Sequence, residues 1–201
     1  MLTLGFLLQD ADDLFDPVAG LNDEGLMRSF HTALDRTRAH LLSALRAAQP
    51  GGDHEDMCYN LHVGTSLMMA FFDGLAVYVE KKVACPPAAG PVYWDRPTTF
   101  IDPRFAELLA IKERTAERVL KGGISARSLR NFVKHYLPWV RLSGVARGGG
   151  EHDVLFPLGR AGDASGPVIR GLLFPLFNDA RDACVAFGKV VGTAALPVHP
   201  L

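Results

Sequence analysis

Apolar side chains recur along this chain at helical spacing. Leu26, Phe30, Leu34, Leu41 and Leu45 fall every three to four residues, interrupted by Thr37, and lay one stripe along a helix from about Glu24 to Ala48. Asn22 or Asp23 can cap its free amides, and Pro50-Gly51-Gly52 ends it. The opposite face carries Arg28, His31, Asp35, Arg36 and Arg38. His31 and Asp35 stand one turn apart and are expected to form a surface pair.

Asp53 is placed to cap a second helix reaching about Lys82, with Asp56 three residues on as a rough capping box. Val63, Leu67, Ala70, Phe71, Leu75 and Tyr78 supply its stripe, and Met68, Met69 and Phe72 widen it. Those methionines and phenylalanines are expected to fill the core or a dimer surface. A helix so apolar around its circumference belongs at the centre of a bundle or against a second subunit. Leu61 to Val79 approaches membrane-span length, but Asp73 lies near its middle and His62, Thr65 and Ser66 near its start. A charge at bilayer depth is costly, so a buried core helix is the expectation.

Prolines and glycines from Pro86 to Thr99 predict an ordered connector. Asp102-Pro103 then opens a third helix, which Gly122-Gly123 closes. Phe105, Leu108, Leu109, the stem of Lys112, Ala116 and Val119 are its expected inner face. Ser125 caps a fourth helix bearing Leu129, Phe132, Val133, Tyr136 and Leu137, which Pro138 ends or kinks. Gly144 to Gly166 reads as a flexible segment, with a short extended piece from Asp153 to Leu158. The last helix is expected from about Leu176 to Val191, with Phe177, Ala180, Cys184, Phe187 and Val191 inward. The prediction is an all-α fold: a bundle of four to five main helices in a single domain, 1–201. Residues 1–20 form an N-terminal extension, and 144–166 a Gly-rich loop before the last helix.

Composition supports a packed core, with 48% hydrophobic and 21% charged residues in a chain of 201. Net charge is −1, so nucleic acid or an anionic membrane would need a local basic patch. Cys58, Cys85 and Cys184 are widely spaced and odd in number, which favours a reducing compartment. The first residues lack a positive stretch and a cleavage site, so no signal peptide and a cytoplasmic location are expected.

The run Arg130-Asn131-Phe132-Val133-Lys134-His135 carries the sharpest chemistry. An imidazole exchanges protons near neutral pH, and a guanidinium offers a planar fork of donors to a phosphate. The run resembles the R-x(4–6)-H signature of HEPN domains, often seen as R-N-x-x-x-H near the start of the last core helix of a four-helix bundle. The apolar Leu129 before the arginine fits the same pattern. The resemblance implies metal-independent RNA cleavage in a cleft shared by a homodimer, of the sort found in toxin and defence systems. His135 would then be the acid/base, Arg130 the phosphate clamp and Asn131 an orienting group. Arg127, Lys134 and Arg141 would add phosphate-binding charge. On an ideal helix residues five apart are separated by about 140°, so Arg130 and His135 would converge only on a cleft between faces. The plainer reading is a helix with a solvated basic face.

A rival site lies at the start of the second helix. His54, Cys58 and His62 follow at intervals of four, on one face, and neighbouring pairs could grip a metal ion or a haem iron. His31, His40 or Asp35 would have to add ligands. The plainer alternative is a small buried cysteine with unremarkable histidines. A third possibility is a non-catalytic protein-interaction bundle. Gly148 to Gly150 lack the lysine of a phosphate loop, and no G-x-S-x-G elbow is present.

Overall fold

The computed structural model describes residues 23–49, 51–120, 125–135, 144–146, 152–154, 169–193 and 197–201. Among them are five α-helices: α1 (Asp23–Ala47), α2 (His54–Tyr78), α3 (Ala106–Leu120), α4 (Ala126–His135) and α5 (Ile169–Val191). A short ribbon, β1 (Gly144–Ala146) antiparallel to β2 (His152–Val154), pairs Val145 with Asp153. The protein is therefore an all-α bundle, as the apolar periodicity predicts. The expected N-terminal extension, Pro138, Arg141 and most of 144–166 lie outside the described residues.

The helix starts follow the expected local chemistry. Asp53 accepts the Glu55 amide hydrogen at 2.8 Å, and Ser125 Oγ accepts that of Ser128 at 3.0 Å. Asp102 does the same for Arg104, ahead of Pro103 in a 3-10 turn (Pro103–Phe105) that leads into α3. α2 does not stop at Tyr78 but loosens into a π turn, Val79–Val83. α5 begins at Ile169, before the expected Leu176, and runs through Pro175. Pro175 cannot donate to the preceding turn, yet Leu172, Leu173, Leu176 and Phe177 bury on either side of it and hold the helix together.

α2 is the centre. α1 and α4 pack against it, α5 packs on α1 and α3, and the core joins all five. A chain of aromatic rings threads this core. Phe187 meets Phe30 at 5.2 Å, Phe30 meets Phe71 at 5.3 Å, and Phe72 meets Trp94 at 4.7 Å, which meets Phe100 at 5.2 Å. Such edge contacts add to the burial of large apolar surfaces. Met68, Met69, Phe71 and Phe72 are all buried, so they are core filling. His54–Val83 is long and apolar enough to cross a membrane by length and composition, and 61% of its most apolar window is buried inside the bundle. Gly64 lets α1 approach closely, since a Cβ there would lie 2.8 Å from Leu41 Cδ2.

The faces differ from expectation where apolar residues were too plentiful to choose between. On α2, Leu61, Met68 and Phe72 are sealed, whereas Val63 and Leu67 are half-buried and Ala70 is exposed. On α3, Ile111 and Thr115 turn inward and Ala116 is exposed. Thr37 interrupts the α1 stripe only in chemistry: it is buried, and its hydroxyl donates to the Ala33 carbonyl at 2.8 Å. His31 is not a surface residue. It is buried beside Cys184, with Nε2 3.9 Å from Sγ, and burial lowers its pKa against the opposing pull of Asp35. Burial pushes the Cys184 thiol up to about 12.

The connector between α2 and α3 is ordered, as its prolines suggest, and polar side chains pin it. Lys112 Nζ donates to the carbonyls of Arg96 and Thr99, both at 2.7 Å. Phe100 is buried with φ 65°, a left-handed conformation costly for a side chain with a Cβ. Its amide donates to the buried Glu80 at 2.5 Å. The tail docks too: Arg38 Nε donates to the Pro200 carbonyl at 2.6 Å and Arg181 Nε to that of Val198 at 2.9 Å.

Candidate nucleic-acid interface

α4 is short and strongly two-sided. Leu129 and Val133 are buried against the bundle, and Ala126 beside them. Arg127, Arg130 and Lys134 are spaced by three and four residues, so they form one ridge beside that apolar stripe. The ridge lies against α2, and the two helices run antiparallel: Arg127 reaches Asp73, while Arg130 and Lys134 act on His62, three turns earlier in α2.

The three cations are in different states. Arg127 Nη2 donates to both oxygens of Asp73, at 2.8 and 2.9 Å, and its Nε to Asp95 at 2.9 Å. The guanidinium also lies 5.3 Å over the Tyr93 ring. Asp73 in turn accepts the Trp94 amide at 2.9 Å. Arg127, expected to add phosphate-binding charge, is instead held by two carboxylates and fastens the connector to α2 and α4.

Arg130 donates to Asn131 Oδ1 at 2.9 Å, and among the described residues no carboxylate pairs with Arg130 or Lys134. Both are half-buried, and on the α2 side His62, also half-buried, feels the charge of both. Burial, then the charges of Arg130 and Lys134, hold its imidazole below the ordinary pKa. Both effects favour the uncharged ring over the imidazolium. His135 ends α4 and is exposed, and Asn131 is exposed beside Arg130. Arg130, Asn131, Lys134 and His62 are thus brought together. His135 stands apart from Arg130 around the helix, and Arg141 lies outside the described residues.

The trio His54, Cys58 and His62 separates. His54 Nε2 and Cys58 Sγ lie 3.4 Å apart, whereas His62 faces α4. Burial and then Glu55 raise the Cys58 thiol. His31 is buried against Cys184, and His40 shares a hydrogen bond of 2.9 Å with Asn60 beside the exposed Tyr59. Among the described residues no three His, Cys, Asp or Glu side chains are placed to hold one ion.

The sequence offered His62 as one member of a rival metal-binding trio or as an ordinary histidine, and gave no place for it beside α4. The signal was present only as a whole-turn match: His62 and Asp73 are eleven residues apart, about three helical turns, and so share one edge of α2. A separate open groove of about 550 Å3 lies along the connector between Glu80, Pro86, Arg96 and Asp102, and shares no residue with the α4 surface. Comparison with protein-family models, with curated proteins and with solved structures gave no match.

Proposed function

We propose that the protein binds RNA along α4 and acts as a HEPN-like, metal-independent endoribonuclease of the cytoplasm, working as a homodimer with two copies of α4 lining one cleft. What supports this reading is the contrast within the ridge. Arg127 is neutralised, but Arg130 and Lys134 converge on a neutral imidazole with no carboxylate of the described residues to balance them. Two cations with no carboxylate partner among the described residues, in a half-buried seam, favour a phosphodiester. Asn131 fixes the Arg130 guanidinium in place for that contact.

In this reading Arg130 clamps the phosphate and stabilises its growing charge. His135 at the exposed end of α4 exchanges a proton with the ribose 2′-hydroxyl or the leaving oxygen. A shared cleft answers the angular separation of the two side chains, because the His135 of one copy can face the Arg130 of the other. His62 supplies a second imidazole on the α2 side of the ridge.

The test is cleavage of a mixed RNA pool in the presence of a chelator. His135→Ala should lower the rate by about 10²–10⁴-fold while leaving binding intact. Arg130→Ala should weaken both. Retained RNA affinity in an Arg130→Ala, Lys134→Ala double variant would refute the interface, and cleavage unchanged in His135→Ala would refute the assigned acid/base.

A further inference from the structure

The groove along the connector is an opening that the α4 surface does not use. It runs between the π turn that ends α2 and the 3-10 turn before α3, and its volume of about 550 Å3 is that of a small-molecule site. The lining is largely apolar, with Pro86, Pro87, Val92 and Ile101. Phe100, at φ 65°, puts its own ring in the core, and the next side chain, Ile101, stands 68% exposed on the rim. Backbone strain of this kind recurs where a segment is held for a ligand.

The charged groups around the groove differ in how fully they are engaged. Arg104 grips Asp102, with Nη2 at 2.7 Å and Nε at 3.1 Å, and Lys112 directs its ammonium at the carbonyls of Arg96, Pro97 and Thr99. Glu80 and Arg96 are less complete. Glu80 is 8% exposed; its Oε1 accepts the Phe100 amide hydrogen at 2.5 Å, and among the described residues nothing donates to Oε2. Arg96 is half-buried and its Nη1 donates to the Pro91 carbonyl. Among the described residues no acceptor meets its Nε or Nη2, and no carboxylate pairs with it. A buried carboxylate oxygen without a donor is costly, and a half-buried guanidinium without an anion is costly too.

An ammonium answers the first need and a carboxylate the second, while an apolar side chain suits the prolines and Ile101. We propose that the groove binds a small zwitterion with an apolar side chain: an α-amino acid of the leucine kind, or a short peptide of such residues. The ammonium donates to Glu80 Oε2, the carboxylate accepts from Arg96, and the side chain covers Ile101. No covalent bond is made or broken. The groove shares no residue with the α4 surface, so this site does not depend on RNA binding there.

The experiment titrates the full chain with leucine and with leucyl-leucine by calorimetry. The expected result is saturable binding, one ligand per chain, by whichever of the two spans Glu80 and Arg96. The N-acetyl form of that ligand lacks the ammonium, and its C-terminal amide lacks the carboxylate. Each should bind about 10–100-fold more weakly than the parent. Glu80 is tested from the ligand side in this way because it also holds the Phe100 amide. Arg96→Gln should weaken the parent by a similar factor and leave the already weak amide unchanged. Ile101→Ser, at an exposed position, should weaken the parent and both derivatives with helical content unaltered. Absence of binding by both leucine and leucyl-leucine overturns the proposal, as does an acetylated or amidated form that binds as well as its parent. Equal affinity in Arg96→Gln would overturn the carboxylate contact.

Discussion

Arg127→Ala asks whether the most heavily engaged cation of α4 works by charge. Asp73 is 18% exposed at its side chain and Arg127 39%. Breaking a fully buried ion pair costs about 3–5 kcal/mol, and an exposed pair is worth about 0–1 kcal/mol. Asp73 is mostly covered, Arg127 is more than a third open, and the Trp94 amide would still donate to the carboxylate. The loss should therefore be about 2 kcal/mol at pH 7, between the two limits. For a chain of this size that corresponds to a fall in Tm of about 4–8 °C.

The pH dependence separates charge from packing. Burial raises the Asp73 pKa, opposed by the Trp94 amide and Arg127 and reinforced by Asp95. A raised carboxyl keeps its proton longer in the folded state than in the unfolded one. Stability from this group is thus present in acid and is lost as pH rises through the ordinary carboxylate range to the folded pKa. Without Arg127 the folded pKa rises further and the loss at neutral pH deepens, so the cost of Arg127→Ala should shrink as pH falls from 7 towards about 4. Urea unfolding across that range, with Asp73→Asn as the second arm of a double-mutant cycle, measures it. A cost independent of pH, and equal in the Asp73→Asn background, would refute the reasoning and leave only the stacking of Arg127 on Tyr93.

Other substitutions probe the remaining polar and steric contacts. Glu80→Ala strands the buried Phe100 amide and should cost about 2–3 kcal/mol in urea unfolding, whereas Glu80→Gln keeps an acceptor and should cost less. Gly64→Ala puts a methyl 2.8 Å from Leu41 Cδ2 in a sealed seam. It should destabilise by about 1–3 kcal/mol, with partial recovery on adding Leu41→Val. Lys134→Ala should leave stability within about 0.5 kcal/mol and lower the slope of RNA affinity against salt by about one, the reverse of Arg127→Ala.

Arg127 and Lys134 mark where the sequence is legible and where it is not. A helix stripe is a local property, so α1 and α5 could be read from residues three and four apart, and the caps at Asp53, Ser125 and Asp102 from residues two and three apart. α2 has too many apolar positions for periodicity to select a face; which of Val63 or Leu61 is sealed depends on where α1 and α4 press. The polar contacts are less local still. Phe100 finds Glu80 twenty residues away, Arg127 finds Asp73 fifty-four residues away, and His31 lies against Cys184 across most of the chain. In sequence, Arg127, Arg130 and Lys134 are three equivalent basic residues at helical spacing. The antiparallel register of α4 on α2 makes them unequal, setting Asp73 opposite the first and a neutral imidazole opposite the other two. A cation facing a carboxylate helps hold the fold together; a cation facing an uncharged ring keeps more of its field.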